Sequence, residues 1–373
     1  MAELTSVVLA GGGTAGHVNP LLAVADELRR RRPGLAVTVL GTNSGLEADL
    51  VPARGYPLVP VPRVPLPRRP TPDWFRLPGR LRSAVRTAEE TLVTTSADVV
   101  VGFGGYVSTP AYLAARRRGV PVVIHEQNAR PGLANRLGAR WAASVAVTFP
   151  GTALRGAVVT GLPLRPEIAD LVAAREADAA GVRERAAAEL GLDPAATTLL
   201  VTGGSLGALS LNTAVAAAAR SLVGAGVQVL HLTGAGKDQA VRDTVAGLPG
   251  YHVRAYLAQM HHGLAVADAV VCRSGAGTVS ELAALGLPAV YVPLPIGNGE
   301  QRLNAAPVVE AGGGLLVRDA DLGPGWLRDH VLPLLADASA RSAMAEAARS
   351  VGVRDGAARV ADLVEAAAGR AHA

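Results

Sequence analysis

The sequence predicts an α/β protein of two Rossmann-like domains, each a parallel sheet flanked by helices. Three observations carry this. Short apolar runs alternate with helical stretches along most of the chain, and that alternation builds parallel sheets. A strand, glycine-rich turn and helix open the chain at Ser6–Ala10 and Gly11–Gly16, and the same order restarts at Thr198–Thr202 and Gly203–Gly207. A length of 373 residues suits two domains of roughly 100–200 residues each.

In the first half, Ser6–Ala10 is the opening strand. The turn Gly11-Gly12-Gly13-Thr14-Ala15-Gly16-His17 leads to a helix expected from about Pro20 to Arg31, with Leu21, Leu22, Val24, Ala25 and Leu28 on one side. Proline suits a first helical turn, because its missing N–H would be unpaired there anyway. Further strands are expected at Ala36–Leu40, Val99–Gly102, Val120–Ile124, Ser144–Thr148 and Ala157–Thr160. In the second half a helix is expected over about Leu209–Leu222. Strands are expected at Val227–Leu232, Tyr251–Tyr256, Ala269–Cys272, Ala289–Val292 and Gly314–Val317. Glu167–Gly191, rich in Ala, Glu and Arg, reads as exposed helix near the domain boundary. Ala336–Ala373 is helical by composition, interrupted near Gly352 and Gly356, and its end is expected to return to the first domain. The expected division is 1–163 together with about 352–373, and 164–351.

Composition narrows the function classes. Hydrophobic residues are 49% and aromatics 3%, so the core must be Val, Leu and Ala. A single cysteine, Cys272, allows no internal disulfide and fits a reducing cytosol; it reads as a small buried hydrophobe. No signal peptide is expected at Met1–Ser6 and no spanning helix anywhere; the longest apolar candidate, Leu282–Gly297, is broken by Pro288, Pro293 and Pro295. The net charge of +5 admits nucleic acid, anionic membrane or phosphorylated ligands. No zinc-finger spacing, helix-turn-helix signal or aromatic-rich strand supports nucleic acid. His261-His262 is no metal motif, since adjacent helical residues point about 100° apart and no paired acid is evident.

A glycine-rich turn opening a helix lets a diphosphate approach free N–H groups and the positive end of the helix dipole. Either turn could equally be a strand-to-helix connection that needs positive φ. A nicotinamide enzyme is disfavoured: no acid closes Ala36–Leu40, and Glu47 and Asp49 come later, in a loop. A third segment, Arg273-Ser274-Gly275-Ala276-Gly277-Thr278-Val279-Ser280-Glu281, also follows a strand and opens a helix. Glu281 there could accept from a ribose diol, or serve as a capping or first-turn acid. The segment Val61–Arg86 carries Arg63, Arg68, Arg69, Arg76, Arg80, Arg82 and Arg86 with Trp74, Phe75, Leu77 and Leu81 interleaved. It reads as a segment that docks on an anionic membrane, at about 1 kcal/mol per basic residue, or as a solvated loop whose few apolar residues pack on the first domain.

Several segments, in order and spanning nearly the whole chain, resemble one family. They are Gly12-Gly13-Thr14-Ala15-Gly16-His17-Val18-Asn19-Pro20, Gly102-Phe103-Gly104-Gly105-Tyr106-Val107-Ser108 and His125-Glu126-Gln127-Asn128. Gly203-Gly204-Ser205-Leu206-Gly207-Ala208, Cys272-Arg273-Ser274-Gly275-Ala276, Thr278-Val279-Ser280-Glu281 and Gln301 with Asn304-Ala305 continue the series. Together they are similar to the lipid II-forming peptidoglycan glycosyltransferases, the undecaprenyl-diphospho-muramoylpentapeptide β-N-acetylglucosaminyltransferases. Two positions depart from the family pattern: Glu300-Gln301 stands where two glutamines are common, and Ala15 where glycine is.

The resemblance implies a GT-B fold, with the two Rossmann-like domains facing a central cleft. It implies an inverting, metal-independent transfer of N-acetylglucosamine from its UDP donor to the muramoyl 4-hydroxyl of lipid I, with no cofactor. Glu281 would bind the ribose hydroxyls, Ser205 and the Gly203–Gly207 backbone including Gly204 the diphosphate, and Arg165 would lie near the phosphates. Ala276 would meet the sugar through its N–H, Gln301 and Asn128 would reach the sugar, and Leu257 the uracil. Thr14 and Gly16 of the first loop would also serve the donor. Gly13, Thr14, His17, Gly104 and Tyr106 would bind the acceptor. His17 is the candidate base, since an imidazole titrates near working pH; contact with acceptor phosphate is the other reading. Trp74, Phe75, Arg76, Leu77 and Arg80 would dock a peripheral enzyme on the cytoplasmic face of the membrane. Other wall-synthesis or division proteins are partners of the kind such an enzyme would meet. Three alternatives stand beside this: a GT-B transferase with another lipid or natural-product acceptor, a UDP-N-acetylglucosamine 2-epimerase, and a catalytically silent nucleotide-sugar-binding scaffold. An epimerase would want several carboxylates facing the sugar, and that constellation is not found.

Overall fold

The computed structural model describes residues 4–64 and 73–371, with only the backbone of residues 73–76, 370 and 371. The chain divides into two compact units, Met1–Arg165 with Arg354–Ala373, and Pro166–Val353.

The first unit is a seven-stranded parallel sheet of β1 (Ser6–Ala10), β2 (Ala36–Gly41), β3 (Leu58–Pro60), β4 (Val99–Gly102), β5 (Val122–Glu126), β6 (Ser144–Val147) and β7 (Ala157–Val159), in the order β3-β2-β1-β4-β5-β6-β7. The Val-rich runs of β1, β4 and β5 are buried on both faces. That is why they are continuous apolar runs and do not alternate. Its helices are α1 (Ala15–Arg31), α2 (Glu47–Ala53), α3 (Asp73–Thr94), α4 (Ser108–Arg118) and α5 (Leu133–Gly138). The C-terminal helix Gly356–Ala371 also belongs here: Val360, Ala361, Val364, Ala367 and Ala368, spaced at helical period, are buried with Val99, Val101 and Val123. Arg31 pairs with Asp362 at 2.7 Å and Arg32 with Glu365 at 3.1 Å to hold it on α1.

The second unit is a six-stranded parallel sheet of β8 (Thr198–Thr202), β9 (Gln228–Leu232), β10 (Tyr251–Arg254), β11 (Ala269–Cys272), β12 (Ala289–Tyr291) and β13 (Gly314–Leu316), in the order β10-β9-β8-β11-β12-β13. Its principal helices are α6 (Pro166–Leu190), α7 (Leu209–Ala217), α8 (Ala219–Gly224), α9 (Gln239–Thr244), α10 (Met260–Val266), α11 (Ala276–Leu285) and α12 (Glu300–Glu310), followed by short helical turns and the helix Ala338–Val351.

In each sheet the strand order reverses beside the opening strand, between β1 and β4 and between β8 and β11. The crevice outside the carboxyl ends of such strands is where open α/β sheets bind ligands. The turns after β1 and β4, and those after β8 and β11, are the glycine-rich segments singled out in the sequence.

Several local expectations are corrected. The first helix begins at Ala15, so His17 lies inside it and Pro20 falls in its second turn. There the proline cannot donate to Gly16 O. The basic segment is not a loop throughout. From Asp73 it is helix, with Ala84, Val85, Ala88 and Leu92 buried and Leu77 and Leu81 packed against the same core. The helix expected over Leu209–Leu222 is two, joined at Ala218. Strand β3 was not expected; it is a three-residue edge strand containing Pro60, a residue confined to sheet edges.

Candidate active site

In the first unit, the turns after β1, β4 and β5 converge. The turn Gly11–Thr14 passes over Glu47, the first residue of α2, whose side chain is fully buried. Glu47 Oε2 accepts from Gly13 N at 2.9 Å. Its Oε1 accepts from Thr42 N at 3.0 Å and Thr42 Oγ1 at 2.6 Å. Burial pushes the Glu47 carboxyl up, but these donors outweigh it and hold it below the ordinary carboxylate value.

His17, in the first turn of α1, is bonded through Nδ1 to Thr14 Oγ1 at 2.9 Å. Its ring edge stands against Gly104, where a Cβ would fall 3.2 Å from both Cδ2 and Nε2. With φ of +88° as well, Gly104 is a glycine for two reasons. Burial of the ring lowers the His17 pKa below 6.5, partly opposed by the nearby Glu47 charge and the Gly12 backbone. The imidazole is therefore neutral at pH 7, as a base must be. Thr14 and the Gly12 backbone thus both hold the ring, and in the tautomer whose Nδ1–H donates to Thr14, Nε2 carries the lone pair.

At the end of β5, Glu126 is buried and organises the next turn. Its Oε1 accepts from Asn128 N at 3.0 Å, and its Oε2 from Gly132 N at 3.0 Å and Asn135 Nδ2 at 2.8 Å. Tyr112 OH donates to Asn135 Oδ1 at 2.7 Å. His125 lies behind, 3.0 Å from Gly161 O through Nε2 and 3.1 Å from Gln127 Nε2 through Nδ1. Burial pushes it down to about 4. His125 is thus a neutral interior strut, while Glu126 and Asn135 set the backbone at Asn128.

In the second unit, the turn after β8 closes through Gly207 N to Gly204 O at 3.0 Å. Gly207 has φ of +66°, and a Cβ there would collide with Thr233 O. Lys237 Nζ donates to Leu206 O at 2.6 Å. Ser205 is exposed, and the N–H groups of Ser205 and Leu206 have no partner among the described residues. Helix α7 begins at Leu209, beyond the turn, with Ala208 at its cap position.

Helix α11 begins at Ala276, and its first internal bond runs from Val279 N to Gly275 O at 3.0 Å. The N–H groups of Ala276, Gly277 and Thr278 precede that bond and sit at the positive end of the dipole. Glu281 is the sixth helical residue, half-buried, which removes the capping and first-turn reading. Arg273 proves to be a brace: it pairs with Asp319 at 2.5 Å, and its Nη2 donates to Ser210 Oγ at 2.9 Å. Gln301 Oε1 accepts from Leu294 N at 3.0 Å, shaping the turn before α12 and leaving its amide nitrogen for other partners. Leu257 packs over Gly263 of α10.

The structure thus brings Gly13, Thr14, Gly16, His17, Gly104 and Asn128 to one end of the first sheet. Tyr106, half exposed, stands in the turn before α4. Gly204, Ser205, Ala276, Glu281 and Gln301 lie on the turns and helices that follow β8, β11 and β12. Arg165 closes the first unit. Of the membrane-docking residues, the side chains of Trp74, Phe75 and Arg76 lie outside the described residues. Leu77 is half-buried against the core, and Arg80 is exposed. Glu47, Asn135 and Lys237 were not anticipated as site residues. The only signals were an acid in a short loop and a lysine in a chain whose cations are almost all arginine. Among the described residues no cluster of metal-ligating side chains occurs, and no helix is long and apolar enough to cross a membrane.

Known proteins resemble this chain over nearly its whole length. The glycosyltransferase family 28 N-terminal domain profile matches residues 7–147, and the family's C-terminal domain profile matches residues 198–360. The chain is 56% identical over 362 residues to the UDP-N-acetylglucosamine–N-acetylmuramyl-(pentapeptide) pyrophosphoryl-undecaprenol N-acetylglucosamine transferase of Clavibacter michiganensis subsp. michiganensis, covering 97% of this chain and 96% of the relative. The protein of the same name from Streptomyces avermitilis is 54% identical over 349 residues, covering 94% of each. Among solved structures, Acinetobacter baumannii MurG matches with a TM-score of 0.77 at 30% identity, covering 97% of this chain and 99% of that one.

Proposed function

We propose that this chain, which belongs to glycosyltransferase family 28 and within it to the pyrophosphoryl-undecaprenol N-acetylglucosamine transferases, forms lipid II. It transfers N-acetylglucosamine from UDP-N-acetylglucosamine to the muramoyl 4-hydroxyl of undecaprenyl-diphospho-N-acetylmuramoyl-pentapeptide. The observation that carries this is the 54–56% identity to transferases of that name over 94% or more of both chains.

The reaction is a single displacement with inversion. The acceptor oxygen forms a bond to the anomeric carbon as the bond to the UDP oxygen breaks. The acceptor proton passes to the His17 imidazole, and UDP leaves with the electron pair. Supporting this role, His17 is neutral at pH 7, held by Thr14 and enclosed against Gly104. The diphosphate is received by the N–H groups of the Gly203–Gly207 turn and of the α11 N-terminus, with Arg165 adding charge. Preorganised donors of this kind contribute about 3–4 kcal/mol each to a developing anion. Glu281 accepts from the ribose hydroxyls, Leu257 meets the uracil, and Ala276, Gln301 and Asn128 address the sugar. No divalent metal takes part.

The enzyme works as a peripheral protein at the cytoplasmic face of the membrane, where Arg80 and its basic neighbours meet anionic lipid. Lipid I reaches His17 and Tyr106 from that side.

Transfer of radiolabelled N-acetylglucosamine from the UDP donor to a short-chain lipid I analogue, with and without EDTA, tests the reaction. Transfer that survives EDTA is expected. Donor binding without transfer would assign a different acceptor, and transfer abolished by EDTA and restored by magnesium would remove the metal-free mechanism. Co-sedimentation with anionic vesicles at low salt tests the docking; protein left in the supernatant would remove it.

A further inference from the structure

Glu47 is a buried anion in a place where a neutral residue would cost less to bury. Its carboxylate is held by hydrogen bonds from Gly13 N, Thr42 N and Thr42 Oγ1. Gly12, Gly41 and Gly45 all lack a side chain where the Glu47 side chain sits, and a Cβ at any of the three would collide with it. The turns after β1 and β2 are therefore built around this one group. Gly13, which it holds in a left-handed conformation with φ of +88°, directly precedes the Thr14–His17 entry to α1. The turn after β4 leans on the same arch, since a Cβ at Gly105 would fall 2.7 Å from Gly12 O.

We propose that Glu47 is the positioning residue of the His17 base, clamping the Gly11–Thr14 arch from below so that the imidazole stands fixed against Gly104. This rests on the reading of His17 as the base. Glu47 does not touch substrate; it acts through the arch and through its charge. That charge favours the protonated imidazole and so opposes the effect of burial. Thr14, Gly104 and Asn135, which also border this corner, are neutral, and Glu47 is the charged group that acts on His17 among the described residues.

All three partners of the carboxylate donate, so an isosteric amide must turn its NH2 toward a donor. Glu47→Gln is therefore expected to lower kcat on the order of 10²-fold through misplacement of the base, with the KM for UDP-N-acetylglucosamine changed by less than about twofold. The acid limb of its pH–rate profile is expected to move to lower pH, because the anion that favoured the imidazolium is gone. In a His17→Ala background the same substitution should add almost nothing, since the two groups act as one. Gly45→Ala crowds the carboxylate but keeps its charge, so it should lower kcat and leave the acid limb in place. It also serves if Glu47→Gln does not fold.

Wild-type kcat in Glu47→Gln, or in Gly45→Ala where the first variant does not fold, overturns the proposal. So does a loss of the same factor with and without His17. A slow His17→Ala beside a fast Glu47→Gln removes only this proposal. A His17→Ala enzyme that turns over at the wild-type rate removes the base reading, and this proposal with it.

Discussion

The two glycine-rich turns occupy equivalent places in their sheets, yet they are wired with opposite charge. The turn after β1 sits on an anion, with Glu47 consuming the Gly13 N–H. The turn after β8 is tied by a cation, with Lys237 consuming the Leu206 carbonyl and leaving the Ser205 and Leu206 N–H groups unpartnered among the described residues. An anion beneath a turn repels a diphosphate and supports a proton-accepting histidine. A cation on the carbonyl side leaves the donors for a phosphate. In the proposed function the first turn serves base chemistry and the second phosphate chemistry, and the charged side chain bonded to each matches that division.

The largest expected effect breaks the first turn's chemistry. His17→Ala should reduce kcat by roughly 10²–10⁴-fold while calorimetric affinity for UDP-N-acetylglucosamine stays near wild type. A loss of affinity equal to the loss of turnover would place His17 in donor binding instead. Because burial holds His17 below 6.5, the ring protonates only at lower pH, so kcat/KM should fall as pH drops through that lowered value. An acid limb centred above 6.5 would contradict the assignment.

The glycines offer a second contrast. Gly207→Ala meets both a left-handed φ and the Thr233 carbonyl, and should abolish measurable donor binding. Gly13→Ala has a left-handed φ but open space around it, so its cost is conformational strain of about 1–2 kcal/mol. Equal effects of the two on their respective turns would mean that steric closeness is not what shapes the second one.

Both units also hide a neutral histidine, His125 in β5 and His231 in β9, each pushed down to about 4 by burial. A depressed histidine pKa means that the unfolded chain binds the extra proton first. Stability is therefore expected to be full above about pH 6.5 and to fall between about 6.5 and 4, by on the order of 3 kcal/mol for each histidine. Denaturant unfolding at pH 7 and pH 4.5 measures this; equal midpoints would show that the histidines are not kept neutral.

The smallest effect belongs to the cation. Lys237→Met should weaken donor affinity by about tenfold, the worth of one charge-assisted hydrogen bond that orders the turn. Unchanged affinity would leave the turn's glycines as its sole organisers.

Much of this was legible before any fold was seen. The runs Ser6–Ala10, Val99–Gly102, Thr198–Thr202 and Ala269–Cys272 are strands with those same bounds, because residues buried on both faces leave an unbroken apolar signature. The glycine turns were legible because close approach at Gly12, Gly203 and Gly207, and a left-handed φ at Gly13 and Gly204, favour glycine over other residues. Pro20 misled, since a proline in the second turn looks in sequence like one in the first. Leu77 and Leu81 do pack on the first domain, as the solvated-loop alternative expects, but from a helix: their four-residue spacing continues through Val85 to the core.

The sequence by itself determined the two parallel sheets, the turns that end their central strands, and the residue types gathered there. Only the tertiary structure decided that Glu47 lies under Gly13, that Lys237 ties Leu206, that Arg273 braces Ser210 and Asp319, and that Glu126 shapes the turn at Asn128. The reason is physical: periodicity reports which face of an element is dry, whereas a buried side chain bonded to a distant turn leaves no repeating mark. Its partner is set by how the elements pack.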